Sequence, residues 1–176
     1  GYLKMLDIPH STCGVLASAL TFNKFMLNQF LKSFGIRIAD SIMLRKGDTI
    51  TAADVVEKIG LPCFIKPSDG GSSFGTTKVK EPEQIEEAIA AAFNESDEIM
   101  IESFMQGTEV TNGYYKTKQR EVMLPVTEVV PKRDFFDYEA KYNGAVEEIT
   151  PARIPDELRD RIQMLTAAIY KIVGCN

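Results

Sequence analysis

A lysine fixed just ahead of a glycine- and serine-rich loop is the part of this sequence best suited to chemistry. The run Cys63-Phe64-Ile65-Lys66-Pro67 is apolar and stopped by proline, as a buried strand would be. Thr76-Thr77-Lys78-Val79 has the β-branched content of a returning partner strand. Between them, residues 68–75 hold three glycines and three serines. Glycine lets backbone N–H groups approach a ligand closely, and each serine adds a hydroxyl donor. Donors spread over a loop, with Lys66 as a point charge at its root, suit a chain of phosphates. A Walker A loop places its lysine after the glycines, at the start of a helix, whereas Lys66 precedes them and a strand follows. The implied geometry is a hairpin flap lowered onto phosphates. The same composition also suits a long surface hairpin that binds nothing, and composition alone does not separate the two.

Two other stretches carry suitable groups. Asn23 is a capping residue for a helix bearing Leu27, Phe30, Leu31 and Phe34 and closed by Gly35, which places Lys24 in its first turn. The helix dipole disfavours a cation there by roughly 0.3–1 kcal/mol. A bound anion would offset that cost, and so would solvent. Further on, Ile99-Met100-Ile101-Glu102 reads as a strand running into Ser103-Phe104-Met105-Gln106-Gly107-Thr108-Glu109. Backbone leaving a strand in this way suits an adenine edge, with Phe104 and Met105 near its ring. A strand that merely ends in a glycine turn has the same pattern.

Composition narrows the class. A chain of 176 residues with 44% hydrophobic and 26% charged residues buries a substantial core, as one domain or two small ones. The net charge of −5, with no basic run, gives no reason to expect nucleic acid. No apolar stretch approaches membrane-spanning length and no signal peptide opens the chain, so the expected setting is cytoplasmic. Cys13, Cys63 and Cys175 form no CxxC and read as reduced thiols. His10 is the lone histidine, so neither a His/Cys metal site nor a Ser-His-Asp triad is expected. Gly1 is not an initiator methionine and Asn176 directly follows a helix end, the pattern expected of a fragment.

The elements that must position these groups follow from periodicity and punctuation. A loop through Pro9, Ser11 and Gly14 leads into a short helix ending near Leu20, and residues 36–44 alternate as a strand. Thr51-Ala52-Ala53-Asp54 is a capping box opening a helix with Val55, Val56 and Ile59. Pro82 opens a helix whose stripe is Ile85, Ala88, Ile89, Ala92 and Phe93. Residues 109–115 and 121–129 read as antiparallel strands, with a returning strand at 147–150. Residues 133–142 mix aromatics and charges as an ordered loop. Leu158, Ile162, Leu165, Ile169 and Ile172 form a final helical stripe closed by Gly174. The resulting class is α+β, with helices on mainly antiparallel sheets.

Five segments in order carry a resemblance: Ala17-Ser18-Ala19-Leu20 with Asn23-Lys24; Phe64-Ile65-Lys66-Pro67 with Gly71-Ser72-Ser73-Phe74-Gly75; Ile101-Glu102 with Gly107 and Glu109; Tyr138-Glu139-Ala140-Lys141-Tyr142; and Thr150-Pro151-Ala152. Together they resemble the D-alanine–D-alanine ligase family of the ATP-grasp superfamily, over nearly the whole chain. The resemblance implies an ATP-grasp fold that is incomplete at both ends. Residues 1–21 would end an N-terminal lobe or linker, 22–107 would form the central lobe with its flap at 68–75, and 108–176 part of a C-terminal lobe. It implies ATP and D-alanine as ligands, no nucleic acid or membrane partner, and allows a homodimeric parent. Lys24 and Lys66 would contact the ATP phosphates under a flap that includes Gly71, Ser72 and Ser73. Glu102 would accept the adenine amino group, the backbone of Ser103 and Met105 would read the ring edge, and Glu109 would bind the ribose. Lys141 would reach the γ-phosphate, while Ser72 and Tyr142 would close the D-alanine side. The implied reaction makes D-alanyl-D-alanine for peptidoglycan precursors through an acyl phosphate.

The chain departs from the family pattern in Asp69-Gly70-Gly71, where the acid stands one place early, and in Ser103, where many relatives carry lysine. The family's Mg²⁺ ligands, and an arginine that steadies the tetrahedral intermediate, are expected beyond residue 176. No metal ligand is assigned within this chain, and the fragment alone is expected to be inactive. Another ATP-grasp carboxylate–amine ligase, such as a D-alanine–D-lactate ligase, and a non-catalytic nucleotide-binding module are the alternative readings. Tyr142 argues for the dipeptide.

Overall fold

The computed structural model describes residues 1–131 and 146–175. They divide into two compact units, one formed by Phe22–Gly107 and the other gathering Gly1–Thr21, Thr108–Val130 and the chain from Glu148. The fold is α+β, with antiparallel sheets flanked by helices.

In the first unit the order is α3 (Lys24–Ser33), β1 (Ser41–Arg45), α4 (Ala52–Lys58), β2 (Cys63–Pro67), β3 (Thr77–Val79), a 3₁₀ turn (Pro82–Gln84), α5 (Ile85–Phe93) and β4 (Glu98–Ser103). Spatially the sheet runs β1-β4-β2-β3, and each adjacent pair is antiparallel. Strand β2 alternates strictly, with Cys63, Ile65 and Pro67 buried and Phe64 and Lys66 half-buried. The buried face of the sheet packs Leu44, Cys63, Ile65, Val79, Ile99 and Ile101 against Val55 of α4 and Ile85, Ala88 and Ala92 of α5. Both faces are used, because α3 lies on the opposite side, where Asn28 Nδ2 reaches Met100 Sδ at 4.0 Å.

Helix ends follow their capping chemistry. Thr51 and Asp54 complete the reciprocal capping box of α4. Helix α3 begins at Asn23, whose side chain accepts from the Met26 amide. It ends in a Schellman closure, with Gly35 N–H on Lys32 O at 3.0 Å and Ile36 N–H on Leu31 O at 3.3 Å. That closure corrects the strand expected over residues 36–44. Ile36 finishes the helix, so β1 starts only at Ser41.

The second unit contains α1 (Tyr2–Met5), most of α2 (Val15–Phe22), β5 (Glu109–Lys116), β6 (Glu121–Pro131), β7 (Val146–Ile149) and α6 (Asp156–Val173). The single turn α1 interrupts what reads in sequence as loop; its exposed Tyr2 and Met5 give no helical stripe. Strands β5, β6 and β7 form a three-stranded sheet. Tyr114 of β5 packs on Tyr170 of α6, with centroids 4.7 Å apart. Among the described residues, no helix is long and apolar enough to cross a membrane.

Glu128, only 8% exposed, anchors the chain after β7. Arg153 donates to it bidentately, Nε to Oε2 at 2.9 Å and Nη2 to Oε1 at 2.8 Å, and its backbone N–H adds a third bond at 3.2 Å. These hydrogen bonds hold the Glu128 carboxyl below the usual carboxylate range. A lowered native pKa contributes stability that is present above the unfolded pKa and lost as pH falls through the folded one. Thermal midpoints measured from neutral pH down through the carboxylate range should therefore fall less steeply in Glu128→Gln than in the wild type. Parallel acid limbs in the two proteins would refute this role.

Candidate functional site

One face of the first unit's sheet gathers the charged side chains. Alternation places Phe64 and Lys66 of β2, Lys78 of β3, and Met100 and Glu102 of β4 on that face. Lys66 Nζ is hydrogen-bonded to Glu102 Oε1, 36 residues along the chain. Their side chains are 20% and 15% exposed, so both charges are largely removed from water. Such a pair is retained only where partner and geometry offset desolvation. Here it holds one cation and one carboxylate together on the sheet face, at the root of the flap.

The flap root is tied to α3. Ser68, fully buried, donates from Oγ to Asn23 Oδ1 at 2.8 Å, and its carbonyl accepts from Lys24 N–H at 2.7 Å. Asn23 therefore caps α3 and fastens the flap with the same oxygen. Its amide also donates to Glu98 Oε2 at 3.3 Å. Lys24 Nζ donates to the carbonyls of Pro67 and Gly70, each at 3.2 Å. The cation that the helix dipole disfavours thus sits on flap carbonyls at the helix N-terminus. At the tip, Ser72 and Ser73 both adopt left-handed backbone, with φ of 54° and 61°. Two consecutive non-glycine residues in this region store strain of the kind found at ligand clamps. Gly75, at φ +63°, closes the flap where an added Cβ would stand 3.2 Å from Pro67 Cγ and 3.4 Å from Ala92 Cα.

Lys24, Lys66, Gly71, Ser72, Ser73, Glu102, Ser103 and Met105 thus fall within one unit, at the start of α3, on the sheet, in the flap and in the segment leaving β4. Ser103 N–H is committed to Asp40 O at 2.9 Å, and Phe104 N–H to Pro62 O at 3.2 Å. Met105 is exposed. Glu109 is an exposed residue opening β5 in the other unit. Lys141 and Tyr142 lie outside the described residues. Among the described residues, no cluster of three or more His, Cys, Asp or Glu side chains is placed to hold a metal ion.

Sequence reasoning passed over three contributors. Ser68 and Glu98 serve Asn23, and Lys78 places its ammonium 3.9 Å from the centroid of the Phe104 ring. The signal for Lys78 was available, since a two-residue period from Val79 and Thr77 puts it on the same face as Lys66. No local pattern pointed to Ser68 or Glu98.

The family model described as D-ala D-ala ligase C-terminus matches residues 30–176. A D-alanine–D-alanine ligase of Bacteroides fragilis is 62% identical over 176 residues, covering 100% of this chain and 54% of the relative. One from Porphyromonas gingivalis is 55% identical over 175 residues, covering 99% and 53%. Among solved structures, the VanG D-Ala:D-Ser ligase from Enterococcus faecalis superposes with a TM-score of 0.86 at 32% identity, covering 98% of this chain and 51% of that one. A D-alanine–D-alanine ligase from Bacillus anthracis gives 0.83 at 29% identity, covering 100% and 56%. The chain spans about half the length of the curated relatives it matches. With a family match over most of its length, the chain belongs to the D-alanine–D-alanine ligase family.

Proposed function

We propose that the whole protein is a cytoplasmic ATP-dependent ligase that joins two D-alanines, and that this chain supplies most of its nucleotide site. The observation that carries the reading is the half-buried Lys66–Glu102 pair beside a strained, serine-tipped flap, in a chain of this family. The first D-alanine carboxylate takes the γ-phosphoryl group of ATP, leaving ADP and an acyl phosphate. The amine of the second D-alanine then attacks that carbonyl, phosphate departs, and the amine proton is lost.

Each residue has a part in this reading. Lys66 exchanges its bond to Glu102 for the phosphates, which frees the carboxylate to accept the adenine amino group. Lys24 follows from the helix side, and Ser72 and Ser73 bring hydroxyls down from the flap. Because Ser103 N–H is already bonded to Asp40, the ring edge is read by the Ser103 carbonyl and the Met105 backbone. Glu109 takes the ribose, Lys141 the γ-phosphate, and Ser72 with Tyr142 the D-alanine side. Preorganised cations aimed at the transferring phosphoryl group are the main lever available to a protein in such a step. Mg²⁺ would supply charge neutralisation there. Its ligands are proposed to lie in the part of the protein outside this chain, as the family resemblance implies.

The full-length protein, given ATP and equal D-alanine and D-lactate near neutral pH, is expected to yield D-alanyl-D-alanine with only traces of the ester. Predominant ester would replace this reading with that of a depsipeptide ligase. Nucleotide binding without either product would reduce it to a binding module.

A further inference from the structure

We propose that Lys78 is a positioning residue for the nucleotide: it sets the segment that receives the base and ties it to the strand leaving the flap. The proposal rests on the ATP-binding reading above. Strand β4 ends at Ser103, so Phe104 and Met105 are not held by strand pairing. Phe104 is instead fixed from three sides. Its N–H bonds to Pro62 O, its ring packs on Phe64 with centroids 6.0 Å apart, and the Lys78 ammonium stands 3.9 Å from its centroid. An ammonium this close to an aromatic face is attracted by the ring quadrupole, and more strongly as water is excluded.

Chain topology makes this contact more than local. Lys78 is three residues beyond Gly75, in the strand that receives the chain from the flap and is paired with Phe64. Phe64 lies between it and the nucleotide pair, with Lys78 opposite on one side and Glu102 opposite on the other. A lysine on an edge strand commonly serves only to discourage edge pairing. Such a lysine points to solvent, whereas this one is half-buried over Phe104.

The test uses the full-length protein with Lys78→Met, which keeps the length and loses the charge, and Lys78→Arg, which keeps a cation. Calorimetric ADP affinity should fall roughly threefold to tenfold in Lys78→Met and stay within about twofold of wild type in Lys78→Arg. The KM for ATP should rise by the same factor in Lys78→Met, with kcat and the KM for D-alanine unchanged. Phe104→Leu should cause a similar loss, and combining it with Lys78→Met should add little. Unaltered ADP affinity in Lys78→Met, or fully additive losses, would overturn the proposal. A wild type that binds ADP but forms no dipeptide would sink the ligase reading while the ADP comparison still decides on Lys78. A wild type that binds no ADP would overturn both.

Discussion

Replacing Lys66 with alanine in the full-length protein should lower kcat/KM for ATP by about a hundredfold or more, against roughly threefold to tenfold for Ser73→Ala. The difference follows from what each side chain supplies. Lys66 brings a charge-assisted bond, about twice as strong as a neutral one, from a strand that fixes its position. Ser73 offers one neutral hydroxyl from a loop, and its left-handed backbone is no worse tolerated by alanine. Steady-state kinetics with ATP varied at saturating D-alanine measures both. Equal or reversed losses would mean that the phosphates do not lie beside Lys66. Because the charge acts on the transferring group, part of the Lys66 loss should appear in kcat rather than in KM alone.

Gly75→Ala should destabilise the first unit by about 2–4 kcal/mol, whereas Gly71→Ala in the same flap should be nearly silent. At Gly75 the backbone is left-handed, which costs a side-chain-bearing residue roughly 1–2 kcal/mol. Its Cβ would also meet Glu95 Cγ at 2.9 Å, Pro67 Cγ at 3.2 Å and Ala92 Cα at 3.4 Å. The glutamate stem swings aside cheaply, but a buried proline ring and a helix backbone do not. At Gly71 an added Cβ would meet nothing within 4 Å and the backbone is not left-handed. Thermal denaturation should show a drop of roughly 5–15 °C for Gly75→Ala only. Similar midpoints for both variants would show that the flap closes without the tight turn at Gly75. A stable but inactive Gly75→Ala protein would instead place its importance in flap closure over ligand.

Much of this architecture was written locally. Asn23, the Thr51–Asp54 box and Gly174 mark helix ends through bonds made within a few residues, so sequence spacing is enough to find them. The strand–flap–strand around Lys66 was equally legible, because proline and glycine act on their own backbone. Even the error at residues 36–40 was local. A Schellman closure uses Ile36 to end a helix, and an alternating pattern does not reveal where a preceding helix stops.

Tertiary structure decided what those elements face. Strand β4 inserts between β1 and β2, so the last strand of the unit becomes a central one, and no short-range pattern encodes that order. Only that insertion sets Glu102 opposite Phe64 and brings it to Lys66, turning two isolated charges into a half-buried pair. The same holds for Ser68 on Asn23, 45 residues away, and for Lys78 on Phe104. Capping and turn chemistry are determined by neighbours in the chain, whereas charge pairing and aromatic contacts are determined by neighbours in space. For this chain the sequence determined the elements and the flap, and the tertiary structure decided which side chains meet around it.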